Sequence, residues 1–225
     1  MFALKNIEVS YGDKAVLKQL NIDLKAGEVH GILGMNGAGK TTLFNSIYGI
    51  KKINTGQRVS DLSKDDMGFL QTQNFFYPLM KGEEYLKLLG LQSGLDKIDE
   101  WNKVFDLPLD ELVENYSTGM KKKLAFLAII LMKKKMLLLD EPFNGVDVES
   151  NEKIMYIIRK LRDNGTGIFI SSHILSTLLQ TADRISLLEK GSIQKTYSKA
   201  SFQELEDFIK NRIKTSLDEQ LKELI

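Results

Sequence analysis

Hydrophobic positions recur every second residue at the start of the chain. Ile7, Val9 and Tyr11 alternate with polar residues, Leu20, Ile22 and Leu24 do so again, and Val29 to Leu33 forms a short apolar run ending in glycine. A period of two predicts strands, because successive side chains of a strand point to opposite faces. Gly12-Asp13 and Ala26-Gly27-Glu28 supply turn residues between them. The period then changes. Lys40 to Tyr48 carries Leu43, Phe44 and Ile47 at helical spacing, so the order there is strand, loop, helix. From Asn74 to Tyr116 the pattern is helical and aromatic-rich, with Tyr85, Leu86, Leu88, Leu89, Val104, Phe105, Leu112 and Val113, and it predicts an inserted helical subdomain.

Two continuous apolar runs, Met136 to Leu139 and Ile168 to Ile170, are too short for helices and end in polar residues. Such runs predict strands buried on both faces of a parallel sheet, and helices alternate with them, which is the α/β pattern. The tail opens with the capping-box spacing Ser201 to Glu204 and sets Leu205, Phe208, Ile209, Leu217 and Leu221 at helical intervals. It predicts a terminal helix packed on its own domain, with a dimer or partner contact as the alternative.

Composition narrows the class. With 225 residues, 43% hydrophobic and 27% charged, the chain reads as one globular domain carrying an insertion. Lysine plus arginine number 31 against 30 acidic residues, so no global field favours nucleic acid or an anionic bilayer, and no nucleic acid partner is expected. There is no cysteine, which removes disulfides and thiolate metal sites, and two histidines argue against a zinc enzyme. The charged start reads as no targeting segment, so a cytoplasmic location is expected. The longest apolar run, Leu124 to Met132, is closed by Lys133 to Lys135 and is far short of the roughly 20 residues that cross a bilayer. If this protein works on a membrane, another polypeptide crosses it.

Candidate chemistry begins at Gly34-Met35-Asn36-Gly37-Ala38-Gly39-Lys40-Thr41, which fits the P-loop pattern and lies between a predicted strand and a predicted helix. Glycines 34, 37 and 39 let the backbone curl so that N–H groups and the positive helix N-terminus converge on phosphates. Lys40 is then placed for the β and γ phosphates, Thr41 for Mg²⁺ and Thr42 for the α phosphate. A hundred residues later an apolar strand runs into Asp140-Glu141-Pro142. A parallel strand delivers such a pair to the sheet's carboxyl edge, where ligands of open α/β folds bind. Asp140 is expected to hold Mg²⁺ through its water shell, and Glu141 to act as base for the attacking water.

These motifs, in this order, resemble an ATP-binding cassette ATPase, the nucleotide-binding subunit of an ABC transporter. Tyr116-Ser117-Thr118-Gly119-Met120-Lys121 is similar to the family signature, whose core is Leu-Ser-Gly-Gly-Gln. Ser117 and Gly119 match, while Thr118 and Met120 depart at the first glycine and the glutamine. Ser117 also reads as an ordinary helix N-cap. Asp147 falls at the family's D-loop position, and His173, after Ser171-Ser172, at its switch histidine; His30, inside a strand, reads as structural. Tyr11 resembles the aromatic that stacks on adenine. In the Q-loop the family's most frequent spacing puts glutamine at Thr72, flanked here by Gln71 and Gln73. Gln71 is the favoured Mg²⁺ contact, with Gln73 the alternative.

The resemblance covers residues 1 to 195 and implies a P-loop NTPase fold: an N-terminal antiparallel β subdomain, a RecA-like, mostly parallel sheet core and an inserted α-helical subdomain. Its parts are expected at 1–73 and 117–200 for the core with the β subdomain, 74–116 for the helical insert and 201–225 for the tail. It further implies ATP and Mg²⁺ as cofactors, and a second ATPase subunit, identical or paralogous, whose signature helix closes over the γ phosphate. A separate transmembrane permease is implied too, its cytoplasmic helix seated near the aromatic stretch Phe75-Phe76-Tyr77-Pro78, with the ATPase peripheral on the membrane's cytoplasmic face. The signature and short insert look more like exporter ATPases. A soluble single-cassette assembly ATPase is the alternative.

Overall fold

Strand pairing follows the alternation in the sequence. The computed structural model describes residues 1–89 and 97–222. β1 (Phe2–Tyr11) and β2 (Lys14–Leu24) form an antiparallel pair in which Ile7 faces Leu20 and Val9 faces Leu17. Gly12, with φ of 55°, turns the chain between them. The other edge of β1 pairs with β4 (Thr55–Ser60), a strand that the hydrophobic pattern does not announce. Nearly every β4 residue is exposed, so backbone hydrogen bonds to β1, and not apolar burial, define it.

The second sheet holds β3 (Val29–Leu33), β5 (Met67–Leu70), β6 (Met136–Asp140), β7 (Gly167–Ser172), β8 (Arg184–Glu189) and β9 (Ser192–Ser198). Their spatial order is β5-β6-β7-β3-β8-β9, parallel except for the last, antiparallel pair. β6 shows why its sequence reads as an unbroken apolar run. Met136 and Leu138 pack with Phe169, Ile32 and the inner face of α1 (Lys40–Tyr48), under the three-stranded sheet. Leu137 and Leu139 pack on the opposite face with α4 (Thr118–Leu131) and α5 (Val148–Asp163). A strand covered on both faces has no polar side to alternate with.

In the helical insert, α2 (Gly82–Leu89) buries Tyr85 and Leu86, while Leu88 and Leu89 face outward. α3 (Ile98–Phe105) sets Phe105 edge-on to Phe126 of α4, with ring centroids 6.2 Å apart. Val113 is buried in a single 3₁₀ turn. Residues 90–96 of the insert lie outside the described residues. A short α6 (Leu175–Thr181) precedes β8.

The tail forms α7 (Phe202–Lys222), anchored by buried Phe202 and Leu205, while Phe208 and Leu217 remain exposed. The expected capping box does not form. Ser201 donates its hydroxyl to the Ser198 carbonyl and Glu204 pairs with Lys195 of β9, because a 3₁₀ turn over Lys199–Ser201 already starts the helical path. Residues 223–225 and the side chains of residues 216, 221 and 222, Leu221 among them, lie outside the described residues. Among the described residues, no helix is long and apolar enough to cross a membrane.

Parallel register fixes which strand ends are neighbours. Asp140 at the end of β6 is level with Ser171 on β7, and Leu33 at the end of β3 is level with Ser172. Three strand ends therefore deliver the glycine loop, the acidic pair and the Ser-Ser-His segment to one edge.

Candidate active site

The glycine loop is shaped by what its glycines exclude. A Cβ on Gly34 would lie 2.7 Å from the Leu188 carbonyl oxygen, and one on Gly39 would lie 2.9 Å from a Leu17 methyl. Gly39, with φ of 109°, caps α1 without any side-chain acceptor for the helix's first N–H groups. Those dipoles are left to point into the loop's concavity. A cavity of about 330 Å³ opens there, lined by Met35, Asn36, Gly37, Gly39, Lys40, Thr41 and Thr42, with Val16, Thr72, Glu141 and Asn144 closing its walls. Ala38 is different: its methyl is buried and its N–H donates to the Met35 carbonyl at 3.1 Å, so neither is offered to the cavity.

Buried carboxylates meet the loop. Asp140 is fully buried at the end of β6, and its Oδ2 accepts from the hydroxyls of both Thr41 and Thr72 at 2.7 Å. Its Oδ1 accepts from the Ser171 hydroxyl. Glu141 leaves the strand with φ of 52°, a left-handed conformation that only a strongly determined site holds in a non-glycine residue. Its N–H donates to the Ser171 carbonyl at 3.2 Å and lies 3.1 Å from the Ser171 hydroxyl oxygen. This turn brings the Glu141 carboxylate between two basic side chains. Lys40 Nζ stands 3.2 Å from Oε1, and His173 Nδ1 stands 3.0 Å from Oε2. The Lys40 ammonium donates to the Gly34 carbonyl at 2.6 Å and approaches Oε1 outside hydrogen-bonding alignment.

A second cluster gathers at the N-terminus of α4. The Ser117 hydroxyl caps that helix, accepting from the Met120 N–H at 3.2 Å. Gly119 packs so tightly on the loop before α5 that a Cβ would come within 2.8 Å of the Gly145 carbonyl. Asp147 caps α5, accepting from the Ser150 N–H and hydroxyl at 2.8 Å each. Those bonds, helped by the Lys123 charge, hold its carboxyl down at about 2. Neither Ser117 nor Gly119 lines the cavity of the glycine loop.

The family model described as ABC transporter matches residues 17–144. The chain belongs to the ABC transporter family. It is similar to the bacitracin transport ATP-binding protein BcrA of Enterococcus faecalis, with 32% identity over 205 residues, 84% of this chain and 66% of that protein. It is also similar to the lantibiotic transport ATP-binding protein SrtF of Streptococcus pyogenes, with 29% identity over 225 residues, 95% of this chain and 97% of that one. Among solved structures, the ATP-binding cassette MJ0796, a dimer in a post-hydrolysis state bound to ADP and Pi, superposes with a TM-score of 0.79 at 24% identity. That likeness covers 88% of this chain and 99% of the cassette, and it is one of fold.

In this ABC ATPase the loop after β5 brings to Asp140 a hydroxyl that the sequence reading did not name as a site group. Gln71 does not reach the acidic pair: its side chain is exposed, and Thr72 carries the hydroxyl that binds Asp140. β5 ends at Leu70, and in the loop beyond it Thr72, exposed as a residue, turns its hydroxyl back to Asp140. Gln73 is exposed and lines a separate cavity with Phe75, Phe76 and Tyr77. Ser171 was also missed as a partner of Asp140, although it lies two residues before His173.

Tyr11 is half-exposed at the end of β1, with the Lys51 ammonium 3.9 Å from its ring centroid. It does not line the glycine-loop cavity. His30 is buried within β3, and its two ring nitrogens are bonded to the Asp23 carbonyl and the Ser186 hydroxyl. As expected for a structural histidine, it stands apart from the site.

Proposed function

We propose that this ABC ATPase binds Mg·ATP on the loop 34–42 and hydrolyses it head-to-tail with a second ATPase subunit, driving a separate permease that exports its substrate. The observation that carries the reading is the convergence of Lys40, Thr41, Asp140, Glu141 and His173 at one sheet edge, while Ser117 and Gly119 sit outside that cavity. The donor set fits the metal: two hydroxyls meet one carboxylate oxygen at 2.7 Å, which suits a small hard cation that takes its remaining oxygens from phosphate and water. When bound, Mg²⁺ neutralises charge on the β and γ phosphates.

The chain's own residues do the rest. N–H groups of Gly37 and of Gly39 to Thr42, with the N-terminus of α1, cradle the phosphates, and Lys40 exchanges its Gly34 carbonyl for phosphate oxygens. Glu141 takes the proton from the attacking water, and His173, already 3.0 Å from Oε2, orients that carboxylate. Tyr11 offers a ring face to adenine. The capped N-terminus of α4, with Ser117 and Gly119, closes over the γ phosphate of the partner subunit, and Asp147 borders the same seam. Loss of the γ phosphate removes the group that both subunits hold, so the pair opens.

Export rests on the signature and the short insert, and the similar proteins BcrA and SrtF are named for bacitracin and lantibiotic transport. The permease contact is assigned to the cavity of about 580 Å³ around Phe75, Phe76 and Tyr77, where Phe75 is 72% exposed. Docking there places the ATPase on the cytoplasmic face of the membrane. The test is Glu141→Gln, which keeps the shape of the side chain and removes the base. Light scattering with Mg·ATP should show a dimer that persists because hydrolysis is lost. A variant that still turns over ATP at the parent rate, or stays monomeric, contradicts the reading.

A further inference from the structure

Three consecutive lysines on the first turns of α4 reach three different loops. Lys121 Nζ donates to the Glu114 carbonyl at 3.3 Å, and Lys123 Nζ lies 3.6 Å from the Asp147 carboxylate. Lys122, between them, donates to the carbonyls of Gln71 at 3.3 Å and Thr72 at 3.0 Å. Lys121 and Lys123 are only partly buried. Lys122 is 5% exposed and, among the described residues, no carboxylate stands within ion-pairing distance of it. Asp140 and Glu141 are the acidic groups that act on it from farther off.

An ammonium in that position works against two effects. It lies near a helix N-terminus, where the dipole disfavours a cation, and it is out of water, where an unpaired charge is costly. The two carbonyls offset this, and both belong to the segment that presents Thr72 to Asp140. Threonine is stiff at χ1, so a fixed backbone at residue 72 also fixes where its hydroxyl points.

We propose that Lys122 is a positioning residue for ATP hydrolysis: it clamps the backbone of Gln71 and Thr72 so that the Thr72 hydroxyl stays on Asp140, tying the start of the Ser117 helix to the metal-side carboxylate. The inference rests on the Mg·ATP reading of the site. A displacement of α4 is passed through Lys122 to Thr72, and the same loop continues into the aromatic cavity that Lys122 also lines.

The test has two independent arms. In the protein free of nucleotide and metal, the Thr72 methyl resonance of a threonine-labelled sample should shift in Lys122→Met and return toward the parent position in Lys122→Gln, which keeps a donor. In single-turnover hydrolysis, Lys122→Met and Thr72→Val should each slow the rate about tenfold, with ATP affinity measured without Mg²⁺ held within about twofold. The double variant should be no slower than the slower single one, whereas Thr72→Ser should keep the parent rate. If Lys122→Met does not fold, the same cycle is run with Lys122→Ala, which also lacks a donor. An unmoved Thr72 resonance, a parent-like rate in Lys122→Met, or losses that multiply in the double variant would overturn the clamp. A parent protein without Mg²⁺-dependent hydrolysis would instead overturn the ATPase reading, and the resonance arm would still decide the clamp.

Discussion

Lys40 and Glu141 form an ion pair with Nζ and Oε1 3.2 Å apart, their side chains 7% and 8% exposed. The pair spans the gap between the glycine loop and the end of β6, and both groups are also expected to serve the nucleotide. Desolvation removes most of what the attraction returns, so the pair contributes little net stability while being expensive to break.

Breaking one side should therefore be worse than removing both. Lys40→Met leaves the buried Glu141 carboxylate beside Asp140 with His173 but without the lysine charge, and is expected to lower unfolding free energy by roughly 1–3 kcal/mol. Lys40→Met with Glu141→Gln should recover most of that loss. Urea titrations of the two variants and the parent decide it, and a double variant as unstable as the sum of its singles would count against the pair.

Ser117 has two separable duties, a cap for α4 and a contact to the partner's phosphate. Ser117→Ala loses the cap and should cost about 1 kcal/mol in urea unfolding. Ser117→Asp keeps a cap acceptor but sets a negative charge against phosphate, so its stability should equal the parent's while ATP-driven dimerisation is lost. Dimerisation of Ser117→Asp at parent ATP concentrations would show that the serine is only a cap.

His30 makes stability depend on pH above the range where carboxylates matter. Burial, aided by the charge of Arg184, pushes its imidazole from 6.5 down to about 3. Between those values the unfolded chain takes up a proton that the folded chain refuses. Stability is therefore full above about pH 6.5 and falls as the pH drops, by up to roughly 1.4 kcal/mol per unit. Asp66 and Asp147, both held at about 2, add their own loss only near and below their unfolded value of 3.8. Urea midpoints between pH 6.5 and 4.5 should show the slope, and His30→Gln should flatten it.

Much of the fold was legible from residue order. The period of two in β1 and β2 and the unbroken runs of β6 and β7 announced their strands, and strand-loop-helix around Gly34 to Tyr48 announced the phosphate loop. β4 was not legible, because an exposed edge strand carries no apolar pattern. The capping box at Ser201 misled, because the pattern fits either a cap or a 3₁₀ turn and only contacts of Glu204 with β9 choose between them.

At the site the same division holds. The sequence alone determined which chemistry is present: glycines that let the loop curl, a lysine and hydroxyls for phosphate and metal, and an acidic pair at the end of an apolar strand. Tertiary structure decided which atoms meet. Whether residue 71, 72 or 73 faces Asp140 depends on where β5 stops and how the loop beyond it turns. That α4 sends Lys122 to the same loop depends on packing between segments some fifty residues apart. Residue type is written locally, whereas a hydrogen bond across the sheet edge is a distance, and that distance exists only once parallel register has brought separate strand ends together.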